Sequence, residues 1–321
     1  MAKFAKPFSK VGSGTLTSLA PLVGIVLVFA VFSLLSPNFR SLDNAENIVK
    51  QMAIPLVTGI GGTFVILMGC IDLSVGGVIV ITGVVSATLL PTVGPPLALA
   101  IGIILGMICG AVNGYVYTFL KIPSFVSTLA MMMIGNGLAL FISKARPIPV
   151  RVDAYRFPAV GTVFGIPLIW VIAAGLFIIA FIWMKYSRTG RYAFAIGGRE
   201  EVAVLSAVPV RRTKFVVFTM AGTLYGLAGI LQNGRLGAAT IASGMGTELS
   251  TIASVVIGGT ALTGGVGGVH RTILGVAIMT ALANGLNVAG VSTYNQMIIK
   301  GLVLMAAVAV TLDRSKVPII K

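Results

Sequence analysis

The sequence predicts an all-α integral membrane protein with about ten membrane-spanning helices, short loops and both chain ends in the cytoplasm. The chain of 321 residues is 57% hydrophobic and 10% charged, against roughly 45–50% and about 25% for a soluble domain. Many of its apolar runs approach the roughly 20 residues that a helix needs to cross a bilayer. The net charge of +15 is gathered in short clusters between these runs. Such clusters are typical of orientation signals and argue against a nucleic-acid partner.

The apolar runs are separated by residues that end helices. Two adjacent prolines close "PTVGPP", and glycine allows the sharp turns that "GGTALTGGVGGVHRT" requires. The predicted helices cover residues 19–36, 52–70, 73–90, 97–119, 124–143, 166–184, 215–233, 248–262, 272–289 and 295–312. Residues 1–321 are therefore expected to form a single polytopic transmembrane domain.

Basic residues predict the orientation of the helices. With both ends in the cytoplasm, the cytoplasmic segments hold fifteen Lys and Arg residues and the outer segments seven, as the positive-inside rule expects. The two longest loops are residues 144–165 outside and 185–214 inside, and neither can hold a soluble domain. We therefore expect a multi-pass protein of the inner (plasma) membrane.

Asp72 is a carboxylate in a run that is otherwise uncharged from Gln51 to Leu120, within "LMGCIDLSVGGVIVI". An Asp just before a helix accepts hydrogen bonds from its first N–H groups, and Ser74 can act in the same way. Ionisable residues at membrane depth also mark translocation paths. Both interpretations of Asp72 stay open. Three amides within predicted helices also have two interpretations, because they either bond across helix interfaces or line a polar path. These amides are Asn113, Asn284 and Asn287.

Glu248 and Lys300 are charged residues in two later predicted helices, both near the outer face. An unpaired charge at that depth is costly, so an ion pair between them is attractive. In the alternative, Lys300 reaches the outer headgroups while Glu248 stabilises a helix N-terminus.

The inner loop 185–214 contains "GGREEVAVLSAVPVRRTK". Acidic residues open a short stretch that can be helical, and a proline ends it. A short amphipathic helix beneath a membrane bundle either binds a cytosolic partner or lies on the lipid surface. The residues assigned to this segment are Gly197, Gly198, Glu200, Glu201, Leu205, Ser206, Pro209, Arg211 and Arg212.

Catalytic and metal-binding motifs do not stand out in the sequence. There is no phosphate loop of the G-x-x-x-x-G-K-[S/T] type, so the chain is not expected to hydrolyse nucleotide. His270 is its one histidine, and its two cysteines lie in apolar surroundings. No metal site, no cofactor and no enzymatic activity is therefore expected of this chain.

The order of motifs resembles the permease subunits of bacterial ABC importers of monosaccharides, in the ribose, arabinose and galactose group. The matching segments run through nearly the whole chain: "LSPNFRSLDNAENI", "GCIDLSVGG", "GAVNGYV", "TGRYAFAIGGREEVAVLSAVPV", "GTELSTIASVVIGGTALTGGVGG" and "YNQMIIKGLVL". The IDLSVG and IGG-x-E-E-x-A-x-L-S segments are the most specific. The chain departs from the family at Cys70, Thr247 and Ser250 and in "LSAV".

The resemblance implies a set of partners and a mechanism. A periplasmic binding protein delivers the sugar to the outer loops, and two permease subunits, identical or related, enclose a central path. A cytosolic ATPase carries ATP and magnesium and docks on the segment from Gly197 to Arg212, called the coupling segment below. The alternative function is an ion-coupled secondary carrier of a small polar solute, in which Asp72 and Glu248 titrate.

Overall fold

The structure, a computed structural model, describes residues 13–311 and is almost entirely helical in that range. The predicted cytoplasmic position of the two chain ends concerns residues outside this range. The helices are α1 (Ser13–Leu35), α2 (Leu42–Leu67), α3 (Val75–Val93), α4 (Pro95–Thr118), α5 (Ser124–Ser143), α6 (Asp153–Val160), α7 (Leu168–Tyr186), α8 (Arg188–Gly198), α9 (Glu200–Leu205), α10 (Val210–Leu236), α11 (Thr247–Ile257), α12 (Val269–Val288) and α13 (Thr293–Thr311).

Two short antiparallel strand pairs accompany the helices. The strand β1 (Ile148–Pro149) pairs with β4 (Ala238–Ala239), and β2 (Thr162–Val163) pairs with β3 (Ile166–Pro167). The first pair ties the loop after α5 to the end of α10.

Seven helices in the described range are long and apolar enough to cross a membrane, namely α2, α3, α4, α5, α7, α10 and α12. Shorter apolar helices cover Pro21–Leu35, Ile241–Ile257 and Thr293–Ala309. The prediction of an all-α, multi-pass membrane protein is confirmed, whereas a count of ten crossings stays a prediction.

Helix α2 begins ten residues before its predicted start at 52. Its first turns carry Asp43, Glu46 and Lys50, so hydropathy detects only the apolar part that follows. The start is a capped one, because Ser41 Oγ accepts a hydrogen bond from the N–H of Asn44 at 3.1 Å. The polar first turns of α2 therefore extend the helix beyond its apolar region.

Helices α4 and α10 cross at very close range through glycines. A methyl group at Gly222 of α10 would lie 2.6 Å from both Cα and N of Gly110 in α4. Gly106 and Gly226 meet in the same interface. Small residues let helix backbones approach in this way, and they supply packing where lipid removes the hydrophobic driving force between helices.

The connections between helices gather at two ends of the bundle. At one end the N–H of Gly265 donates to the carbonyl of Leu67 at 2.9 Å, and Gly197 packs against both residues. At the other end, Trp170 Nε1 donates to the carbonyl of Val49 at 2.6 Å. The first end contains the coupling segment and the second the β1–β4 pair, so the two longest loops lie at opposite ends of the bundle. Which end is cytoplasmic stays a prediction.

Candidate functional site

Residues 68–74, between α2 and α3, are not helical. The N–H groups of residues 68–70 bond back to carbonyls of the last turn of α2. The chain then rises along α5, since the N–H of Ile71 bonds Ser124 and that of Leu73 bonds Thr128. Helix α3 then begins deep in the bundle. Gly77 packs on Met132, which lies about 12 Å along α5 from Ser124 at 1.5 Å per residue. Against a hydrocarbon core of about 30 Å, the break between α2 and α3 reaches roughly mid-depth.

Polar side chains replace the missing helical hydrogen bonds of this break. The N–H and Oγ of Ser74 donate to Oδ1 of Asp72 at 2.8 and 2.6 Å. Asn113 Nδ2 of α4 donates to Oγ of Ser74 at 2.9 Å. The N–H of Leu73 donates to Oγ1 of Thr128 at 3.0 Å. Unpaired backbone groups at membrane depth are costly, so these bonds are what allow an extended segment there.

Asp72 is buried, with 5% of its surface exposed. Its bonds to Ser74 form a turn just before α3 and do not reach the first helical N–H groups. The hydroxyl of Tyr225, a fully buried residue of α10, lies within electrostatic reach of the carboxylate. The two groups do not meet hydrogen-bond geometry. We call Asp72, Ser74, Asn113 and Tyr225 the Asp72 cluster.

Helix α11 also begins inside the bundle, next to the start of α3. A methyl group at Gly76 would overlap the carbonyl of Gly244 and would lie 2.6 Å from Oε2 of Glu248. Deeper in α11, Thr251 Oγ1 donates to Oγ1 of Thr58, in the middle of α2, at 3.1 Å. The N-termini of two helices, α3 and α11, therefore meet at mid-depth.

The predicted ion pair between Glu248 and Lys300 is not formed in the described part of the chain, whose ion pairs are Glu46–Lys50 and Glu200–Lys214. The reason is the depth of α11, which was expected to begin at the outer face. Glu248 instead faces Gly76 of α3, while Lys300 borders a cavity that the carboxylate does not line.

That cavity, the outer cavity, has a volume of about 460 Å³. Hydroxyl, amide and basic groups supply most of the polar atoms in its wall. Its polar lining consists of Gln51, Gln232, Arg235, Ser243, Thr247, Ser250, Ser254, Thr280, Asn287 and Lys300. It lies between α2, α10, α11, α12 and α13, on the outer side of the place where α3 and α11 meet.

The three predicted amides have separate surroundings. Asn113 belongs to the Asp72 cluster. Asn287 lines the outer cavity and accepts a hydrogen bond from Nε2 of Gln296 at 3.2 Å. Asn284 is buried in α12, and its Oδ1 has no hydrogen-bond partner among the described residues. The structure thus brings one of the three amides to the break and one to the cavity.

The coupling segment forms the end of α8, the short helix α9 and the start of α10. Apolar side chains of α9 face outward: Leu205 is 87% exposed, and Val202 and Val204 are about half exposed. Seven other predicted members are also exposed, namely Gly198, Glu200, Glu201, Ser206, Pro209, Arg211 and Arg212. Gly197 differs, because it is packed inward against Leu67 and Gly265.

Lys214, the fourth residue after Val210 in α10, joins this segment to the bundle. Its Nζ donates to Oε1 and Oε2 of Glu200 at 2.8 and 2.7 Å. The same ammonium lies 4.6 Å from the ring centroid of Tyr117 in α4. In the sequence, Lys214 is only the last residue of the inner loop 185–214. No pattern in the sequence relates Lys214 to Tyr117, because their contact depends on how α4 packs against α10.

The fold defines a multi-pass membrane protein with a polar cavity toward one end and an exposed apolar helix at the other. Comparison with known proteins then identifies the family. The family model described as "branched-chain amino acid transport system / permease component" matches residues 44–308. The chain belongs to this family of ABC-importer permeases, and its relatives among ribose and arabinose permeases place it in the sugar-permease group. The predicted family and inner-membrane location are thereby confirmed.

Three relatives illustrate the similarity. The chain is 39% identical over 306 residues to the ribose import permease protein RbsC of Bacillus subtilis, covering 94% of each chain. It is 36% identical over 295 residues to the ribose import permease protein RbsC of Escherichia coli K12, covering 90% of this chain and 92% of the relative. It is 35% identical over 291 residues to the L-arabinose transport system permease protein AraH of E. coli K12, covering 89% and 88%. No solved structure matches the chain.

Proposed function

We propose that this chain is the permease subunit of an importer that moves a monosaccharide, a ribose-like pentose or a hexose, into the cytoplasm by ATP-driven alternating access. A periplasmic sugar-binding protein delivers the solute to the outer loops. ATP and magnesium are bound by a separate cytosolic ATPase, so this chain is a transport subunit and not an enzyme. The observation that carries the substrate class is the polar wall of the outer cavity.

The outer cavity suits a neutral solute rich in hydroxyl groups. Its volume of about 460 Å³ lies within the roughly 300–1,000 Å³ of small-molecule sites. Serine and threonine hydroxyls and the amides of Gln51, Gln232 and Asn287 both donate and accept hydrogen bonds. Sugar hydroxyls need both kinds of partner. The sugar relatives support the same class.

An amino acid is the other solute class that the family description suggests, and the cavity disfavours it. None of the described residues lining the cavity is Asp or Glu. The ammonium group of an amino acid would therefore lack an ionic partner at membrane depth, which is costly. A sugar carries no such group.

The exposed apolar face of α9 supports docking of the ATPase. Leu205, Val202 and Val204 project from a helix of six residues, with Arg211 and Arg212 exposed beyond it. An apolar helix face with charged neighbours suits a protein groove. Because Gly197 and Lys214 anchor the segment to the bundle, movement of a docked ATPase would reach the membrane helices directly.

The proposal includes the membrane topology and the assembly. We place ten crossings in the chain, with both ends and residues 185–214 in the cytoplasm. The chain acts with a second permease subunit, either an identical copy or a related one, as the resemblance implies. Labelling of a single cysteine introduced at Glu201 tests the orientation. Reaction with a membrane-impermeant reagent from the periplasmic side alone would overturn it.

Reconstitution tests the proposed function. Proteoliposomes hold this chain together with its partner ATPase and binding protein, and uptake of radiolabelled ribose, arabinose, galactose and leucine is measured. We expect uptake of a sugar that requires ATP and both partners. Uptake by this chain alone, driven by a pH gradient and abolished by Asp72→Asn, would instead establish the ion-coupled carrier.

A further inference from the structure

A continuous set of side-chain contacts connects the coupling segment to the break between α2 and α3. It begins at the Glu200–Lys214 ion pair, where one ammonium reaches both carboxylate oxygens. It continues through the ring of Tyr117 under that ammonium. Cys70 Sγ then donates to the Tyr117 hydroxyl at 3.3 Å. Cys70 is two residues from Asp72, so the contacts end in the segment that contributes Asp72 and Ser74 to the Asp72 cluster.

Burial makes Lys214 dependent on its partner. Lys214 is 6% exposed, although it lies near the inner end of the bundle. A cation taken out of water is costly unless an anion or an aromatic face compensates it. In the described structure Glu200 supplies the one carboxylate bonded to it. The side chain of Glu200 is half exposed, so a docked partner can reach the anion but not the cation.

We propose that Lys214 is a positioning residue that transmits movement of the coupling segment to the break at Asp72. While Glu200 holds Lys214, the ammonium stays over Tyr117 and Cys70 keeps its bond to the Tyr117 hydroxyl. When the coupling segment moves, Glu200 withdraws and the cation leaves the ring. Residues 68–74 then lose one of their anchors to α4.

The contacts of Lys214 with Glu200 and Tyr117 are not shared by the charged residues nearby, so they are not a general result of packing. Glu201 is adjacent to Glu200 in α9 but forms no ion pair among the described residues. Lys121 lies in the turn between α4 and α5 at the same end of the bundle and is exposed and likewise unpaired there. Removal of the Lys121 charge should leave the break unchanged and provides the matched control.

Accessibility of Cys70 measures the proposal in the purified full-length chain without any partner. Cys70 is buried, and Cys109→Ala leaves it as the single thiol, since the chain has two cysteines. In this background Lys214→Met and Glu200→Gln should each raise the rate of maleimide labelling about tenfold, through easier local opening. Lys121→Met should stay within about twofold of the parent.

Double variants sharpen the test. The charge exchange Glu200→Lys with Lys214→Glu should still label fast, because it restores opposite charges but replaces the cation over the Tyr117 ring by a buried carboxylate. If Lys214→Met does not fold, Glu200→Gln carries the test, since its side chain is half exposed. Labelling of Glu200→Gln at the parent rate overturns the proposal.

Uptake by the reconstituted importer tests the functional consequence, which rests on the proposed function. Lys214→Met, at a buried side chain that a docked partner cannot reach, should keep the ATPase bound but lower the sugar moved per ATP hydrolysed about tenfold. Loss of ATPase binding in this variant would make Lys214 part of the docking contact and overturn the inference. If the parent chain moves no sugar while the labelling results hold, the proposed function fails and the Lys214 connection stands.

Discussion

The α4–α10 interface allows a quantitative prediction, namely that Gly222→Ala destabilises the protein. The added methyl carbon would lie 2.6 Å from Cα and N of Gly110, whereas carbon atoms in contact are separated by about 3.5–4.0 Å. The two helices must therefore move apart by roughly 1 Å. The obstacle is backbone on both sides, so no rotamer change relieves it. We expect a loss at the upper end of the about 1–3 kcal/mol that overpacking costs.

Reversible unfolding in mixed detergent micelles measures this loss as a shift of the free energy of unfolding. Gly137→Ala in α5 is the matched control, because nothing lies within 4 Å of the added methyl group. The control should be neutral or slightly stabilising, since Ala favours helix over Gly by up to about 1 kcal/mol. Equal stability of the two variants would refute the argument that α4 and α10 are in backbone contact.

Three further outcomes are expected. Asp72→Leu leaves the N–H and hydroxyl of Ser74 without their acceptor, so it should lower the free energy of unfolding by about 1–3 kcal/mol. Asp72→Asn keeps an acceptor oxygen and should lower it by less than half as much. Leu205→Asp, at a side chain 87% exposed, should reduce co-purification of the ATPase more than tenfold and leave membrane insertion unchanged; unchanged co-purification contradicts the docking assignment. Burial raises the pKa of Tyr155, against the opposing effect of its hydrogen bond to Ser86. The stabilisation that neutral Tyr155 contributes is therefore complete below about pH 10 and is lost as the pH rises further. The free energy of unfolding of Tyr155→Phe should accordingly fall less at alkaline pH than that of the parent.

The helices themselves are well predicted from the sequence. A run of apolar residues that crosses lipid must satisfy its own backbone, and a helix does so within the segment. Helix α5 has the predicted bounds, 124–143. The start of α2 is missed because its first turns are polar, so hydropathy does not report them.

The depth of individual residues is not predicted in the same way. Glycine-rich "ASGMGTE" is compatible with a turn at the outer face and also with a chain that enters the bundle before α11 begins. The contact of Gly76 with Gly244 and Glu248 decides between them, and it is made by residues distant in sequence. The expected Glu248–Lys300 pair fails for this reason, although each charge lies in its predicted helix.

The coupling segment also combines a feature that the sequence predicts with one that it does not. The composition of the 197–212 segment predicts a short helix with an apolar face, and α9 is such a helix. Its anchor at Lys214 depends on the approach of α4 to α10, which in turn depends on glycines whose partners no sequence pattern reveals.

The contact between Gly76 and Gly244 has a consequence for how this protein can vary. A side chain at either position overlaps the backbone of the other, so enlarging one cannot be compensated by changing its counterpart, which is already the smallest residue. Neither position can therefore accept a larger residue, whichever residue stands at the other. Any rearrangement of the bundle at this contact must carry the beginnings of α3 and α11 together or pull them fully apart.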